Sequence, residues 1–399
     1  MQHSSNSSDF VPEELEECCI SRPDPVFSAK PHSTAISPDR STVFAFDREG
    51  RPLSWFRDGR VFKRSLASEV FARERVAGRR QYWRLSEADA IEQFEQMARS
   101  LEAFPVDASN TDWVARLDRI RSWTPERLLA ERARFDATYR PITILPPDQY
   151  LSIVLQASFG CSWNRCTFCN FYQNRPFGVR EPDEFRKHCE DVKELLGEGH
   201  SLRRRVFLAD GNALTLSNRR LLRFAELARS AFPGRGLFGF VDVFTGEKKS
   251  TEDWNELRLA GLRRVYVGVE TGSDALLEWL NKPGGSEDAR EFVERLKTAG
   301  LHVSLIFMVG IGGRRFAAEH TRQTLDLAGR LVLDSQDVVY LSPFRMVDGS
   351  TYAERAAQTG AEPLDDDATE TQYSELRDGI RRALPGTRVA RYDIREFIY

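Results

Sequence analysis

The central half of the chain alternates apolar runs of strand length with amphipathic runs of helix length. Six apolar runs occupy residues 150–157, 205–209, 237–241, 265–269, 303–309 and 338–341. Helical spacing of apolar residues follows at residues 182–196, 217–231, 251–259, 286–299 and 316–331. Buried parallel strands are apolar on both faces and are joined by helices, so this pattern predicts six βα units. We expect an α/β fold, a partial (β/α)6 barrel, with a doubly wound sheet as the alternative.

A different pattern precedes this core. Residues 42–46 and 52–56 flank a polar turn and predict a β-hairpin, and Asp58-Gly59 predicts a second tight turn. Helices are predicted to begin at Ser86, which forms a capping pattern with Asp89, and near Pro125. We therefore expect an N-terminal α+β extension made of a small β-meander and helices.

These patterns divide the chain into four parts. We predict a disordered leader over residues 1–37, the N-terminal extension over 38–148, the barrel over 149–345 and a short C-terminal extension over 346–399. The leader is rich in Ser, Pro and acidic residues and has few periodic apolar positions. It contains Cys18 and Cys19, which we interpret as free thiols. Either extension is a candidate to close the open side of the barrel.

Composition narrows the class of protein. Hydrophobic residues make up 41% of the 399 residues and charged residues 29%, as in globular proteins with a buried core. The formal net charge of −3 gives no reason to expect nucleic acid or an anionic membrane as a partner. No apolar run approaches the roughly 20 residues of a membrane-spanning helix. The N-terminus lacks the basic-then-apolar pattern of a signal peptide, so we expect a cytoplasmic protein.

Three of the six cysteines, Cys161, Cys166 and Cys169, stand within nine residues, directly after the first predicted strand. Thiolates on a loop at the end of a strand suit a soft metal. Zinc needs a fourth ligand, and the next candidates, His188 and Cys189, lie about twenty residues further on. An iron–sulfur cluster on three thiolates would leave one iron open for a ligand. The cluster is the favoured interpretation, zinc is the alternative, and the odd number of thiols disfavours a disulfide.

The cysteines, with Phe168 just before the last of them, resemble the motif of the radical S-adenosylmethionine (SAM) superfamily. The usual spacing there is three residues and then two, whereas this chain has four and then two. The resemblance extends over about residues 150–345 and implies a [4Fe-4S] cluster held by Cys161, Cys166 and Cys169. It further implies that the cluster cleaves SAM to a 5′-deoxyadenosyl radical, which takes hydrogen from a substrate. A reductase such as flavodoxin or ferredoxin would supply the electron.

The resemblance also implies SAM contacts at the other strand ends. The family's turn for the SAM amino group would be Asp210, Gly211 and Asn212, its ribose site Glu270 with Ser273, its adenine site Phe168, Gly310 and Gly312, and its carboxylate contact Lys282. Each residue alone has an ordinary explanation as a turn or a helix cap. Their occurrence in order, each near a strand end, is what supports the resemblance.

The substrate is less well specified by the sequence. The remaining cysteines are isolated, which disfavours a second cluster, and neither a basic domain nor a cobalamin-binding domain is evident. We therefore expect a small-molecule substrate, with nucleic acid unlikely and no membrane partner. Tyr172, Arg175 and Arg180 are candidates to face it. The alternatives are an RNA or peptide substrate, or a non-catalytic protein that binds zinc or a cluster.

Overall fold

The computed structural model describes residues 25–76, 79–173 and 175–399. Most of the predicted leader, with Cys18 and Cys19, lies outside these residues. The described chain forms two compact units. The first contains the residues up to 138 together with 195–202 and 398–399, and the second, here called the barrel unit, contains 139–194 and 203–397.

A seven-stranded antiparallel meander, in which each strand pairs with the next, is the base of the first unit. Its strands are β1 (Val26–Ala29), β2 (Ser33–Asp39), β3 (Thr42–Asp47), β4 (Pro52–Arg57), β5 (Arg60–Arg64), β6 (Val70–Val76) and β7 (Arg79–Arg84). The predicted hairpin is present as β3 and β4, with Phe44 opposite Trp55. Strand β1 and the first five residues of β2 lie within the predicted leader, so the prediction of disorder is wrong from residue 26 onward. Phe27 stacks on Trp113, with 4.7 Å between ring centroids, and this long-range contact was not visible in the local composition.

Three helices complete this unit: α1 (Glu87–Glu102), α2 (Thr111–Arg121) and α3 (Pro125–Thr138). Helix α1 begins as predicted, because the Ser86 hydroxyl accepts a hydrogen bond from the Asp89 amide at 3.1 Å. Apolar residues of all three helices join the meander in one core, which includes Trp55, Phe94 and Leu117.

Arg51 forms the most buried charged network of the first unit, with 1% of its surface exposed. Its guanidinium binds Asp47 at 3.1 Å and Glu131 at 2.9 Å, and it donates to the carbonyls of Leu195, at 2.8 Å, and Leu196. A buried charge of this kind is destabilising unless ion-pair and hydrogen-bond partners compensate for the loss of water. The network therefore fixes the β3–β4 turn against α3 and against residues 195–202.

The barrel unit contains a parallel sheet of seven strands. These are β8 (Ile153–Gln156), β11 (Arg205–Ala209), β12 (Gly236–Asp242), β13 (Leu262–Glu270), β14 (His302–Val309), β15 (Val338–Pro343) and β16 (Arg388–Arg391). The short strands β9 (Ser158–Phe159) and β10 (Gly178–Val179) pair separately and antiparallel. All six predicted strands are present.

Strand order distinguishes the two predicted architectures. The order is sequential, β8-β11-β12-β13-β14-β15-β16, without a reversal. A doubly wound sheet reverses its order at a switch point, so that alternative is wrong. Since crossovers between parallel strands are almost always right-handed, sequential order places the connecting helices on one face. The expected partial barrel is confirmed, with one strand more than predicted.

The helices of the barrel unit follow the strands in the predicted alternation. They are α4 (Pro182–Leu196), α5 (Asn218–Ala231), α6 (Val243–Gly246), α7 (Thr251–Leu259), α8 (Asp274–Trp279), α9 (Ser286–Thr298), α10 (Gly313–Ala328), α11 (Thr351–Thr359) and α12 (Asp366–Ala383). Strand β16 was missed because Val389 is its only buried residue. Helix α12 packs against α10 and β15, so the C-terminal extension continues the barrel.

Asp148 closes the barrel end at which the strands begin. Its carboxylate accepts hydrogen bonds from Tyr266 at 2.6 Å and Tyr340 at 2.8 Å, and pairs with Arg264 at 3.2 Å. Phe207 and Phe240 pack around Tyr266 within the sheet. The opposite end, where the strands finish, is therefore the place for a site. Within the described residues, no helix has the length and apolarity needed to span a membrane.

Replacing Arg51 with Ala should destabilise the protein by about 3–5 kcal/mol, because the buried Asp47 carboxylate loses its pair with Arg51 and the buried Glu131 carboxylate is left with its pair with Arg134. Denaturant unfolding followed by circular dichroism measures the change. The matched control is Arg60→Ala, which breaks a pair with Glu74 whose arginine side chain is 52% exposed and should cost less than about 1 kcal/mol. Equal effects of the two substitutions would contradict the role assigned to the Arg51 network.

Candidate functional site

The three clustered cysteines lie in a loop at the carboxyl end of β8. Gly160 begins this loop with a φ of +70°, and a Cβ atom there would lie 3.2 Å from the carbonyl oxygen of Arg175. Only glycine fits both the left-handed backbone and the close approach. Cys161, Cys166 and Cys169 follow as free, partly buried thiols.

Residues 280–282 hold the cysteine loop in place. Trp163 donates its indole N–H to the carbonyl of Asn281 at 3.0 Å, and the Asn281 side chain donates to the carbonyl of Arg165 at 2.9 Å. Thr167 donates both its amide and its hydroxyl to the carbonyl of Leu280, at 2.9 and 3.2 Å. These contacts do not involve the thiols, although Cys161 Sγ also accepts a long hydrogen bond from the Asn164 amide at 3.5 Å.

The longer first spacing of the cysteine motif is accommodated at Asn164. This residue has a φ of +46°, a conformation that Asn tolerates better than most residues. Its side chain donates to the carbonyl of Tyr172 at 2.9 Å. The four-residue spacing is therefore part of an ordered turn.

The environment of the thiols suits a metal group. Burial raises the pKa of Cys166 to about 12, against the opposing effect of the Lys282 ammonium. Burial likewise raises the pKa of Cys169 to about 11. Neutral thiols lose their protons when a cation binds, so occupancy by a metal group would release protons.

The separation of the thiols bears on the kind of metal group. Within the described ranges, one trio of potential ligands has its atoms all within 4.8 Å of one another: His302, Asp334 and Asp337, near the start of β14. The Lys297 ammonium already lies 2.6 Å from Asp337. The three thiols are spread more widely, whereas zinc, with Zn–S bonds of about 2.3 Å, holds its sulfurs about 3.8 Å apart. A four-iron cluster takes one thiolate on each ligated iron, so the donor set fits the cluster better.

The end of β11 packs directly against the cysteine loop. The Asp210 carboxylate accepts from the Gly160 amide at 3.4 Å and from the Tyr172 hydroxyl at 3.3 Å. Burial raises the pKa of Asp210 to about 6, although these donors lower it. A Cβ atom at Gly211 would lie 2.4 Å from the Tyr172 ring, so this position requires glycine. Tyr172, a sequence candidate for the substrate, lies buried beside Asp210 instead.

Asn212 joins the ends of β11 and β12. Its side-chain N–H groups donate to the Asp242 carboxylate and to the Thr245 hydroxyl at 3.2 Å, and its side-chain oxygen Oδ1 accepts from the Asp242 amide at 3.0 Å. Neither Asp242 nor Thr245 was predicted. Among the first five predicted strands, the third was the one without a candidate at its end, and its terminal aspartate was the available signal.

Glu270 and Lys282 form a buried ion pair, with 3.2 Å between the carboxylate oxygen and the ammonium nitrogen. Their side chains are 11% and 10% exposed. Burial lowers the pKa of Lys282, but the charges of Glu270 and Cys166 raise it well above its usual value. Glu270 also has a φ of +66° at the end of β13. The structure therefore brings together two residues that the sequence assigned to separate parts of SAM.

Ser273 caps helix α8. Its hydroxyl accepts from the Leu276 amide at 3.2 Å and donates to Glu319 at 3.0 Å, and the residue is fully buried. The structure thus gives its hydroxyl two protein partners.

Helix α10 holds the turn between Glu270 and Ser273. The Gly272 amide donates to the Thr324 hydroxyl at 3.0 Å, and the Thr271 hydroxyl lies 2.7 Å from Nδ1 of His320. Burial lowers the pKa of His320 to about 4, so its ring is neutral, and its Nε2–H donates to the Met308 carbonyl at 2.9 Å. The sequence had not identified His320 or Thr324.

The turn after β14 contains Gly310 and Gly312, with φ values of +80° and +79°. The Gly310 amide donates to Gln372 at 2.7 Å, and the Gly312 amide donates to the Tyr352 hydroxyl at 2.8 Å. Phe168 packs on an apolar cluster that includes Ile311, Phe316 and Tyr352. The residues expected around adenine therefore lie in one region.

Residues 155–326 match a family model described as the Radical SAM superfamily. The matched range includes the three cysteines and every strand from β11 to β14. We therefore assign these residues to the radical SAM superfamily, a class of enzymes that use S-adenosylmethionine and a [4Fe-4S] cluster.

Curated relatives match over part of their length. The anaerobic magnesium-protoporphyrin IX monomethyl ester cyclase of Cereibacter sphaeroides is 24% identical over 179 residues, which are 44% of this chain and 27% of the relative. The heme chaperone HemW of Bacillus subtilis is 26% identical over 176 residues, which are 43% of this chain and 45% of the relative. This chain thus spans less than half the length of either relative.

Two solved structures are similar to part of this chain. Coproporphyrinogen III oxidase (HemN) of Escherichia coli, a radical SAM enzyme, has a TM-score of 0.46 and 15% identity over 65% of this chain and 56% of its own. The radical SAM methyltransferase TsrM of Kitasatospora setae, with cobalamin and a [4Fe-4S] cluster bound, has a TM-score of 0.42 and 18% identity over 56% and 44%. The assignment rests on the family match and the strand order, since these scores are below 0.5.

Replacing Glu270 with Gln should destabilise the cluster-free protein by about 3–5 kcal/mol, because the buried Lys282 ammonium loses its partner. Lys282→Met should also destabilise it. The double variant removes both charges and should be more stable than the sum of the single effects predicts. Denaturant unfolding of the four proteins measures the coupling, and strictly additive effects would show that the pair does not interact.

Replacing Asp210 with Asn should stabilise the cluster-free protein at neutral pH by about 1–2 kcal/mol. The pKa of Asp210 rises from 3.8 to about 6 on folding, so the native state loses stability as pH rises between these values. The gain should be absent below pH 4 and complete above pH 6. Urea unfolding from pH 3.5 to 8 measures it, with the exposed Asp326→Asn as the control. A gain that is equal at all pH values would contradict this account.

Proposed function

We propose that this chain is a radical SAM enzyme whose [4Fe-4S] cluster is held by Cys161, Cys166 and Cys169. When bound, the cluster and SAM supply reductive cleavage of SAM to methionine and a 5′-deoxyadenosyl radical that removes hydrogen from a substrate. The observation that carries the proposal is the position of three free thiols at the carboxyl end of the first strand of a sequential parallel sheet. Their loop is held by hydrogen bonds that use none of the three as donors.

The residues around the thiols suit the remaining contacts of SAM. Glu270 offers a carboxylate that accepts from two adjacent ribose hydroxyls. Lys282, close to both Glu270 and Cys166, offers a positive charge for the SAM carboxylate. The ion pair keeps both side chains oriented before SAM binds.

The other strand ends would hold the amino group and the adenine. The turn at Asp210, Gly211 and Asn212 lies beside the cysteine loop, where it binds the amino group in our proposal. Phe168 and Gly312 border the apolar region proposed for adenine, and the half-buried Gly310 lies in the same turn. We propose Ser273 as a supporting residue that holds the turn after Glu270, because its hydroxyl caps α8.

A site inside the barrel would suit a radical reaction, because a reactive radical has to be kept away from water. At the strand-starting end, Asp148 binds the hydroxyls of the buried Tyr266 and Tyr340, and we propose that the reaction takes place at the other end, shielded from water. We propose a small-molecule substrate that enters from the strand-finishing end. The electron would come from a reductase such as flavodoxin or ferredoxin, in a reducing compartment such as the cytoplasm, since the cluster is sensitive to oxygen.

Anaerobic reconstitution with iron and sulfide, reduction with dithionite and addition of SAM test the proposal. The wild-type protein should bind four irons and form 5′-deoxyadenosine. The Cys161→Ala, Cys166→Ala and Cys169→Ala triple variant should lose both properties, because the cluster has no other thiolates in the loop.

Cys189→Ala is the matched control. This thiol is buried on α4, outside the loop, and its loss should leave iron content and 5′-deoxyadenosine formation intact. Retention of zinc by the wild-type protein, with no four-iron cluster, would overturn the proposal in favour of a zinc-binding protein. Equal loss in the Cys189 control would overturn the assignment of the ligands.

A further inference from the structure

Three arginines converge beside the carboxyl end of the edge strand β8. Arg140 precedes the extended segment that leads into the barrel, and Arg175 and Arg180 flank the short strand β10. Strand β10 pairs with Ser158–Phe159, directly before the cysteine loop. The three side chains therefore belong to the same end of the barrel as the candidate cofactor site.

The ring of Phe159 supports two of these arginines. The guanidinium carbon of Arg140 lies 3.7 Å from the ring centroid, and that of Arg180 lies 4.8 Å from it. Both backbone polar groups of Arg140 are bound by the Gln156 side chain at 3.0 Å. Arg180 donates its Nε–H to the Gln156 carbonyl at 2.9 Å. The two guanidinium groups are thus oriented by the protein itself.

Arg175 adds a third positive charge beside the cysteine loop. Its Nη1 donates to the carbonyl of Pro141 at 3.0 Å. A Cβ atom at Gly160 would lie 3.2 Å from the Arg175 carbonyl oxygen, so the Arg175 backbone touches the first turn of the loop.

The positive charge of the three arginines has no carboxylate partner within 4.0 Å among the residues that the structure describes. The neighbouring Arg220, by contrast, pairs with Glu181 at 3.1 Å. Burial lowers the pKa of Arg180 and the nearby charge of Arg140 lowers it further, while the charges of Glu184 and Asp191 raise it. Like charges held close together repel each other, and an anion that binds between them from outside the protein would relieve that repulsion.

We propose that Arg140, Arg175 and Arg180 form a binding site for an oxyanion, the phosphate or carboxylate group of the substrate. A guanidinium has five N–H donors in a planar fork that matches both groups, and the contacts above use one donor each in Arg175 and Arg180. That the bound molecule is the substrate rests on the proposed function, whereas anion binding itself does not. The enzyme would then act on an acidic small molecule.

Equilibrium dialysis of radiolabelled inorganic phosphate against the reconstituted full-length protein tests the site, with malonate as a competing dicarboxylate. We expect saturable binding by the wild type, weakened by salt, and displaced by malonate if the site also takes carboxylates. The Arg140→Gln and Arg180→Gln double variant should bind phosphate at least about tenfold more weakly, because two charge-assisted contacts are lost.

Arg223→Gln with Arg290→Gln is the matched control. It removes the same charge from two arginines that pair with carboxylates, the exposed Arg223 and the half-buried Arg290, and phosphate binding should be unchanged. Arg140→Lys with Arg180→Lys keeps the charges without the forks and should bind with intermediate affinity, which tests the site if the Gln variant does not fold. No saturable binding by the wild type, or equal binding by the Gln variant, would overturn the proposal.

The triple cysteine variant separates this proposal from the proposed function. It should bind phosphate as the wild type does, since the arginines are held by Phe159 and Gln156 and not by the thiols. Phosphate binding without 5′-deoxyadenosine formation by the wild type would overturn the proposed function alone. Formation of 5′-deoxyadenosine without phosphate binding would overturn the anion site alone.

Discussion

The sequential hydrogen bonding of parallel strands is the constraint on which the site depends. Because each strand pairs with the one that precedes it in the chain, every carboxyl end reaches the same end of the barrel. Residues as far apart as Cys161 and Gly312 thereby become parts of one region. At the opposite end, Asp148 accepts hydrogen bonds from the hydroxyls of Tyr266 and Tyr340.

The site consists of groups that are unfavourable to bury. Burial raises the pKa of Asp210, and Glu270 and Lys282 are tolerated because each neutralises the other. Much of the local architecture supports them: α10 holds the turn after Glu270, and residues 280–282 hold the cysteine loop. Such an arrangement lowers the stability of the folded protein, but it orients these groups before a ligand binds. The arginines around Phe159 are likewise held in fixed orientations, although here the groups are all positively charged.

The fold was largely predictable from the sequence, and several of the residues that the sequence proposed for the site lie near one another at the strand ends. Alternating apolar strands and amphipathic helices predicted the six βα units, and glycines near strand ends predicted backbone turns that are present at Gly310 and Gly312. Strand β16 was not predicted, because a strand with one buried residue shows no apolar periodicity in the sequence. Strands β1 and β2 were not predicted, because polar segments that contain Ser and Pro resemble disordered segments. Their contact with an aromatic partner such as Trp113 is visible only in the folded structure.

The sequence by itself determined which residues stand at strand ends, since strand length and apolar period are local properties. It also placed three thiols in one loop. Only the tertiary structure decided which side chains meet: Glu270 with Lys282, Asn212 with Asp242, and Thr271 with His320, 49 positions apart. These contacts depend on strand order, on the register between strands and on how α10 packs. Because those are long-range properties of the folded chain, no local pattern of residues encodes them.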